Sequence, residues 1–180
     1  MKARISDKNS QQGWVLVIGL VVLVMLTLIA MALMRTTLLE EKMAGASRDI
    51  NLSFEAAEAG LRGAEAFIES QADDSAFTAT GSGLYAQGTA AGNLEPAPFG
   101  TNWDDDNSRV LSSTPTGVTS APRYMIKKIG ESGGEGSLNI GGYGETDLTQ
   151  KSVIYRITAK GTGGRDSTQT ILRSHYARAY

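Results

Sequence analysis

The chain has 180 residues, 41% of them hydrophobic and 20% charged, with a formal net charge of -2, 21 glycines, four prolines, one histidine and no cysteine. That make-up suits a folded chain rather than a disordered one, and the lack of cysteine excludes disulfide frameworks, thiolate metal sites and thiol catalysis. The charge balance leaves no basic footprint for a nucleic-acid partner, and a single histidine makes an enzyme an unpromising first reading.

Residues 14–34 read WVLVIGLVVLVMLTLIAMALM, without charge and with Thr27 as the one polar side chain. As a helix the stretch rises about 32 Å, close to the hydrocarbon thickness of a bilayer, so it is expected to span a membrane. Ahead of it Lys2, Arg4 and Lys8 outnumber Asp7, which places the N-terminus in the cytoplasm and the remainder outside. Three fates stay open: a permanent anchor, a secretory signal cut at Ala30-Met31-Ala32, or a prepilin-like leader cut on the cytoplasmic side. The apolar run ahead of Ala30 is longer than an ordinary signal-peptide core, and helix-forming sequence continues beyond it, which disfavours the second.

Residues 35–71 contain no proline and are rich in Ala, Glu, Leu and Arg, so the helix is predicted to continue. Leu39, Met43, Ala46, Ile50, Phe54, Ala57, Leu61, Ala64 and Ile68 recur at steps of three or four, averaging about 3.6 residues, the signature of an amphipathic helix. Ile50, Phe54 and Leu61 are therefore expected to pack under a folded domain built by the rest of the chain. Gly45, Gly60 and Gly63 weaken the helix unless they mark close packing or a bend.

Over 72–122 small residues, turn formers and the first prolines predict loops with short elements. Arg123–Ile129 is a strand candidate, and the glycine-rich stretch from Gly130 to Gln150 reads as a long flexible connection. Lys151–Lys160 is the clearest strand: Val153, Tyr155, Ile157 and Ala159 alternate towards the helix, with Arg156, Thr158 and Lys160 towards water. Gly161–Asp166 closes a hairpin, and Ser167–Tyr176 returns as the next strand. The fold class is α+β, a long helix packed by an antiparallel sheet of three or more strands.

Little in the chain suggests chemistry. Asp104 and Asp106 are weak candidates for a cation site, because the acidic cluster lacks the glycine of a calcium-binding loop and Arg109 stands in its place. His175 has no Ser, Cys or second His at an interpretable spacing. The glycines of 130–144 do not follow a strand and open a helix, so no nucleotide site and no cofactor are expected.

A basic leader ending at Gly13, an uncharged helix opening at Trp14, an amphipathic extension and a C-terminal sheet together resemble a type IV pilin-like protein. RTTLLEEKMAGASRDINLSFEAAEAGLRGAEAFI at 35–68 resembles the N-terminal signature of the PilX minor pilins, and YRITAKGTGGRDSTQTILRSHY at 155–176 is similar to their closing hairpin. The resemblance implies a type IV pilin-like fold with a leader over 1–13, a transmembrane half-helix over 14–34, an amphipathic half-helix over 35–71 and a loop-rich outer domain with a sheet over 72–180.

It also implies cleavage between Gly13 and Trp14 by prepilin peptidase, with methylation of the new amino group. Most pilins have Phe where Trp14 stands, and they usually carry a Glu where Ile18 stands, which is thought to compensate the charged N-terminus of a neighbour in the filament core. An intramembrane carboxylate costs about 2.5 to 3.5 kcal/mol on insertion scales, so its usual retention points to a partner within the assembly. Its lack at Ile18 suits a first-in position at the pilus tip. The function so implied is that of a non-enzymatic minor pilin, stored in the bacterial inner membrane and extracellular at the tip once assembled. It would prime assembly and support adhesion and twitching motility. Its partners would be other minor pilins, the major pilin, a PilY-type tip adhesin, prepilin peptidase and the assembly platform. A type II secretion pseudopilin and a bitopic inner-membrane protein with a periplasmic binding domain are the alternatives.

Overall fold

A computed structural model describes residues 12–78, 81–90, 92–100, 102–132 and 151–180. One helix, α1, runs over Gln12–Ser70. Two compact units divide the chain, the first ending at Ala46 and the second running over Ser47–Tyr180. Of the leader expected over 1–13, all but Gln12 and Gly13 lies outside the described residues, and those two are helical.

In the first unit every side chain described is exposed. The threonine hydroxyls are satisfied within the helix itself: that of Thr27 donates to the Val24 carbonyl at 2.7 Å, and those of Thr36 and Thr37 reach back one turn to Ala32 and Leu33. Among its described residues nothing covers the apolar surface.

The second unit is a helix on a sheet. Five strands are formed by Leu84–Tyr85 (β1), Arg109–Val110 (β2), Arg123–Ser132 (β3), Ser152–Thr162 (β4) and Gln169–Ala179 (β5). β3, β4 and β5 are successive antiparallel neighbours, and β2 adds an antiparallel pair at the start of β3. The sheet is mixed rather than purely antiparallel, because β1 runs parallel to β3. Gly83 makes that arrangement possible: its φ is +78°, and a Cβ there would lie 2.8 Å from the backbone nitrogen of Arg109. β3 extends to Ser132, three residues beyond the expected strand, with a register shift between Lys128 and Gly130. The rest of the Gly130–Gln150 connection lies outside the described residues. The hairpin turn sits slightly later than expected, closed by the Gly163 amide donating to the Thr168 carbonyl at 2.9 Å.

The core joins Ala64 and Ile68 of α1 to Phe77, Leu84, Tyr124, Ile126, Val153, Tyr155, Ile157 and Ala159. Phe77 lies in a single 3-10 turn, Ser75–Phe77, just past the helix. Its ring meets Tyr155 at a centroid distance of 4.6 Å and the edge of Phe67 at 6.3 Å. The alternation read for β4 holds on the helix side. On the other side Thr158, expected to face water, is fully buried. The cause is Glu95, carried over that face by the loop before β2 and only 2% exposed. It accepts from the Arg156 guanidinium at 2.7 Å and from the Thr158 hydroxyl at 2.5 Å, with Arg173 at 3.6 Å.

Candidate assembly surface

The two units present surfaces of different chemistry. In the first unit the surface is apolar over 14–34, and beyond it Arg35, Glu40, Glu41 and Lys42 are exposed. Trp14 is 72% and Ile18 53% exposed. A Cβ added at Gly13 would meet no atom within 4 Å, so the fold makes no use of the smallness of that residue. Gly45, a candidate for close packing, is equally open. Among the described residues one helix is long and apolar enough to cross a membrane. The uncharged run over 14–34, its one hydroxyl at Thr27 satisfied within the helix, can associate with lipid or with like helices, and that run carries no titratable side chain.

In the second unit the helix face turned to the sheet is small from Ser53 to Ala64 and ends in the large side chain of Ile68. Ser53, Ala56, Ala57, Gly60, Ala64 and Ile68 are buried, whereas Ile50 is 57% and Phe54 44% exposed. The expectation that Ile50 and Phe54 pack under the sheet is thus corrected; Leu61 is half-buried against the core. The physical reason is the closeness of β4. A Cβ at Gly161 would overlap the helix backbone at Ser53, Ala56 and Ala57, and one at Gly163 would fall 2.7 Å from the Asp49 carbonyl oxygen. No room is left for a large side chain on that face. Gly60 and Gly63 do mark close packing: a Cβ at Gly60 would stand 3.2 Å from that of Ala159, and one at Gly63 would run into Leu111.

Polar ties fix the same end of the sheet to the helix. The Asp49 carboxylate accepts from the Gly164 amide and from the Thr168 hydroxyl, each at 2.5 Å. The Thr168 hydroxyl, followed by that amide, holds the acid below the usual carboxylate range. The Ser53 hydroxyl meets that of Thr170 at 2.6 Å. At the far end of the helix, Arg178 donates to the Ile68 carbonyl and Tyr176 to the Glu69 carboxylate. Sequence reasoning missed these ties. The legible signal was the pairing of the glycines at 161, 163 and 164 with small helix residues at 53, 56, 57 and 60.

A second polar cluster clamps the ends of β3 and β4. Asp74 pairs with Lys128 and, at 2.9 Å, with Lys151, and Glu131 bonds the same two lysines. Hydrogen bonds from Lys128 and Lys151 hold Asp74 down to about 2.

The weak cation candidates do not converge. Asp104 accepts from the backbone and side-chain nitrogens of Asn107 at 3.0 and 2.9 Å, stabilising its own turn, and Asp106 is exposed. Among the described residues no group of three or more His, Asp or Glu is placed to hold a metal ion. His175 stands exposed on β5.

Two family models match the chain. Residues 12–62 match one described as PilX N-terminal, and residues 65–178 match one described as Type IV pilus assembly protein PilX C-term. No curated protein and no solved structure matches it. The break between the two matches falls at Gly63, where Leu111 lies against the helix.

Proposed function

Because the chain belongs to the PilX family of type IV pilus proteins, we propose that it is a minor pilin that primes pilus assembly and sits at or near the tip. There it supports a PilY-type adhesin and serves adhesion and twitching motility. Family membership makes it a structural pilus component that associates with other pilus components; the proposal adds the position and the neighbours, which are other minor pilins, the major pilin and the assembly platform. The observation that carries it is Ile18, an apolar side chain on the exposed helix where most pilins present a carboxylate. A subunit without that carboxylate can accept the next subunit but has less to offer one already in place, which suits the first position. Immunogold labelling of pili tests it. Label confined to one end supports the reading, and label spread evenly along the shaft overturns it.

Processing is part of the proposal: prepilin peptidase cuts between Gly13 and Trp14 and the amino group of Trp14 is methylated. Since a Cβ at Gly13 meets nothing in the fold, Gly13→Arg should act on cleavage alone, leaving an uncleaved precursor in the inner membrane and few pili. Mass spectrometry of the N-terminus reads the result. A mature chain starting at Trp14 in that variant refutes the leader assignment, and an intact Met1 in the wild type favours the permanent anchor.

A further inference from the structure

A cavity of about 400 Å³ lies where the loop carrying Trp103 meets the start of β3, the end of β4 and the hairpin turn into β5. Its volume falls within the range of about 300 to 1,000 Å³ usual for small-molecule sites. Most of its polar groups are engaged. The Trp103 indole nitrogen donates to the Pro98 carbonyl at 3.1 Å, and the Thr162 hydroxyl to the Ser120 carbonyl at 3.0 Å. The Arg123 guanidinium is held by Asp105 at 2.5 Å and by the Ser108 hydroxyl at 2.7 Å. The Ser120 hydroxyl donates to the Asp166 carboxylate at 2.8 Å.

Lys160 is the exception. Its ammonium lies over the Trp103 ring, 6.0 Å from the centroid, at the outer limit of a cation–π contact. Among the described residues it makes no hydrogen bond and no ion pair. Lys160 is half-buried, and burial pushes its pKa below the usual lysine range; Asp166 opposes that shift, and Arg123, directly opposite on β3, adds to it. Two cations facing each other across a strand pair destabilise a sheet. Asp105 compensates Arg123, whereas Lys160 keeps a partly desolvated charge with no anion bonded to it, an arrangement that costs stability until a ligand supplies one.

We propose that this cavity binds an acidic sugar, with the sugar carboxylate on Lys160 and the ring against Trp103. One uncompensated cation suits a monoanion, because Asp166 in the same cavity repels a second negative charge. The indole offers a flat apolar surface for the C–H face of a pyranose ring. Asp166 and Gln169, both exposed at the rim, have a carboxylate oxygen and an amide oxygen to accept from its hydroxyls. An acidic peptide side chain would also satisfy Lys160, but it brings methylenes where these two acceptors stand. Binding of a saccharide by the chain itself goes beyond support of a separate adhesin. It depends neither on tip position nor on that partner, so it stands or falls separately from the reading above.

Fluorescence of the full-length chain in detergent tests it. Trp14 and Trp103 are its two tryptophans, so Trp14→Phe leaves Trp103 as the sole indole and as a reporter inside the cavity. Glucuronate is the probe, with glucose as its neutral counterpart and N-acetylglutamate amide as an acidic side chain without a ring. The expected result is a saturable change in Trp103 emission with glucuronate, and binding about tenfold weaker or worse with either comparison compound. Lys160→Met should weaken glucuronate binding by about tenfold or more, the loss expected from one charge-assisted bond. It should not lower the unfolding midpoint, since no bonded partner is lost. Gln169→Ala, at the exposed rim, should weaken binding about threefold and reads the site independently of how Lys160→Met folds. No saturable change, equal affinity for glucose or for N-acetylglutamate amide, or full affinity in either variant would each overturn the proposal.

Discussion

The two halves of α1 belong to one continuous helix and solve opposite problems. Over 14–34 most side chains are large, apolar and exposed, and no described residue covers them. Over 53–68 the face that matters carries Ser53, Ala56, Ala57, Gly60 and Ala64, all buried, and its partner is the chain's own β4. Large apolar groups serve a partner whose contour the chain does not control. Small ones serve a partner that approaches to backbone contact, where shape decides more than apolar area does. A large exposed residue on the outer half, such as Phe54, belongs with the first kind.

That contrast can be broken at graded sites, measured as thermal or denaturant unfolding of the full chain in detergent. The largest effect is expected at Phe77, which is fully buried between Phe67 and Tyr155. Phe77→Ala should cost about 3 to 5 kcal/mol, as truncation of a buried aromatic does. Next comes Gly161→Ala. Its new methyl would press on the helix backbone and should cost about 1 to 3 kcal/mol, the range for overpacking. An unchanged midpoint in that variant would show that the small face is not set by β4.

The third site is the clamp between β3 and β4. Asp74 is held at about 2 against its ordinary 3.8, so its contribution is complete above about 3.8 and is lost as pH falls towards about 2. The wild type should lose stability across that window, and Asp74→Asn should show a flatter profile there while being less stable at neutral pH. Parallel profiles for the two proteins would remove Asp74 from the acid transition. The smallest effect is expected at Phe54. Being 44% exposed, it should change unfolding by no more than about 0.5 kcal/mol on truncation to Ala. A large loss in the isolated chain would return Phe54 to the core and erase the contrast between the two helix faces.

The helix and the two long hairpin strands were legible because each carries a period. The uncharged run over 14–34 and the alternation of Val153, Tyr155, Ile157 and Ala159 needed no tertiary information. The stripe through Ile50, Phe54 and Leu61 misled for a definable reason. Periodicity weights residues by hydrophobicity, whereas β4 selects the helix face by closeness, and the face it selects is centred on Ser53, Ala56 and Gly60. Burial of Thr158 was illegible because it depends on Glu95, brought over the sheet from a loop 63 residues away in sequence. β1 and β2 were also beyond reach, since two-residue strands have no period. β5 was legible only as a closing strand; which of its residues bond to β4 depends on register.

The ties between α1 and β5 also set an order in time. Asp49 meets Thr168 across 119 positions of sequence, and Glu69 meets Tyr176 across 107. Contacts so distant in sequence close late, because the loop entropy is lost before the contacts form. The helix is made early on the ribosome and its covering strand among the last residues of the chain. Throughout synthesis, then, the small-residue face of the helix has no sheet to meet. Its Ala, Gly and Ser positions give competing hydrophobic segments little to hold during that interval, so the composition that lets β4 come close at the end leaves this face little to shield before then.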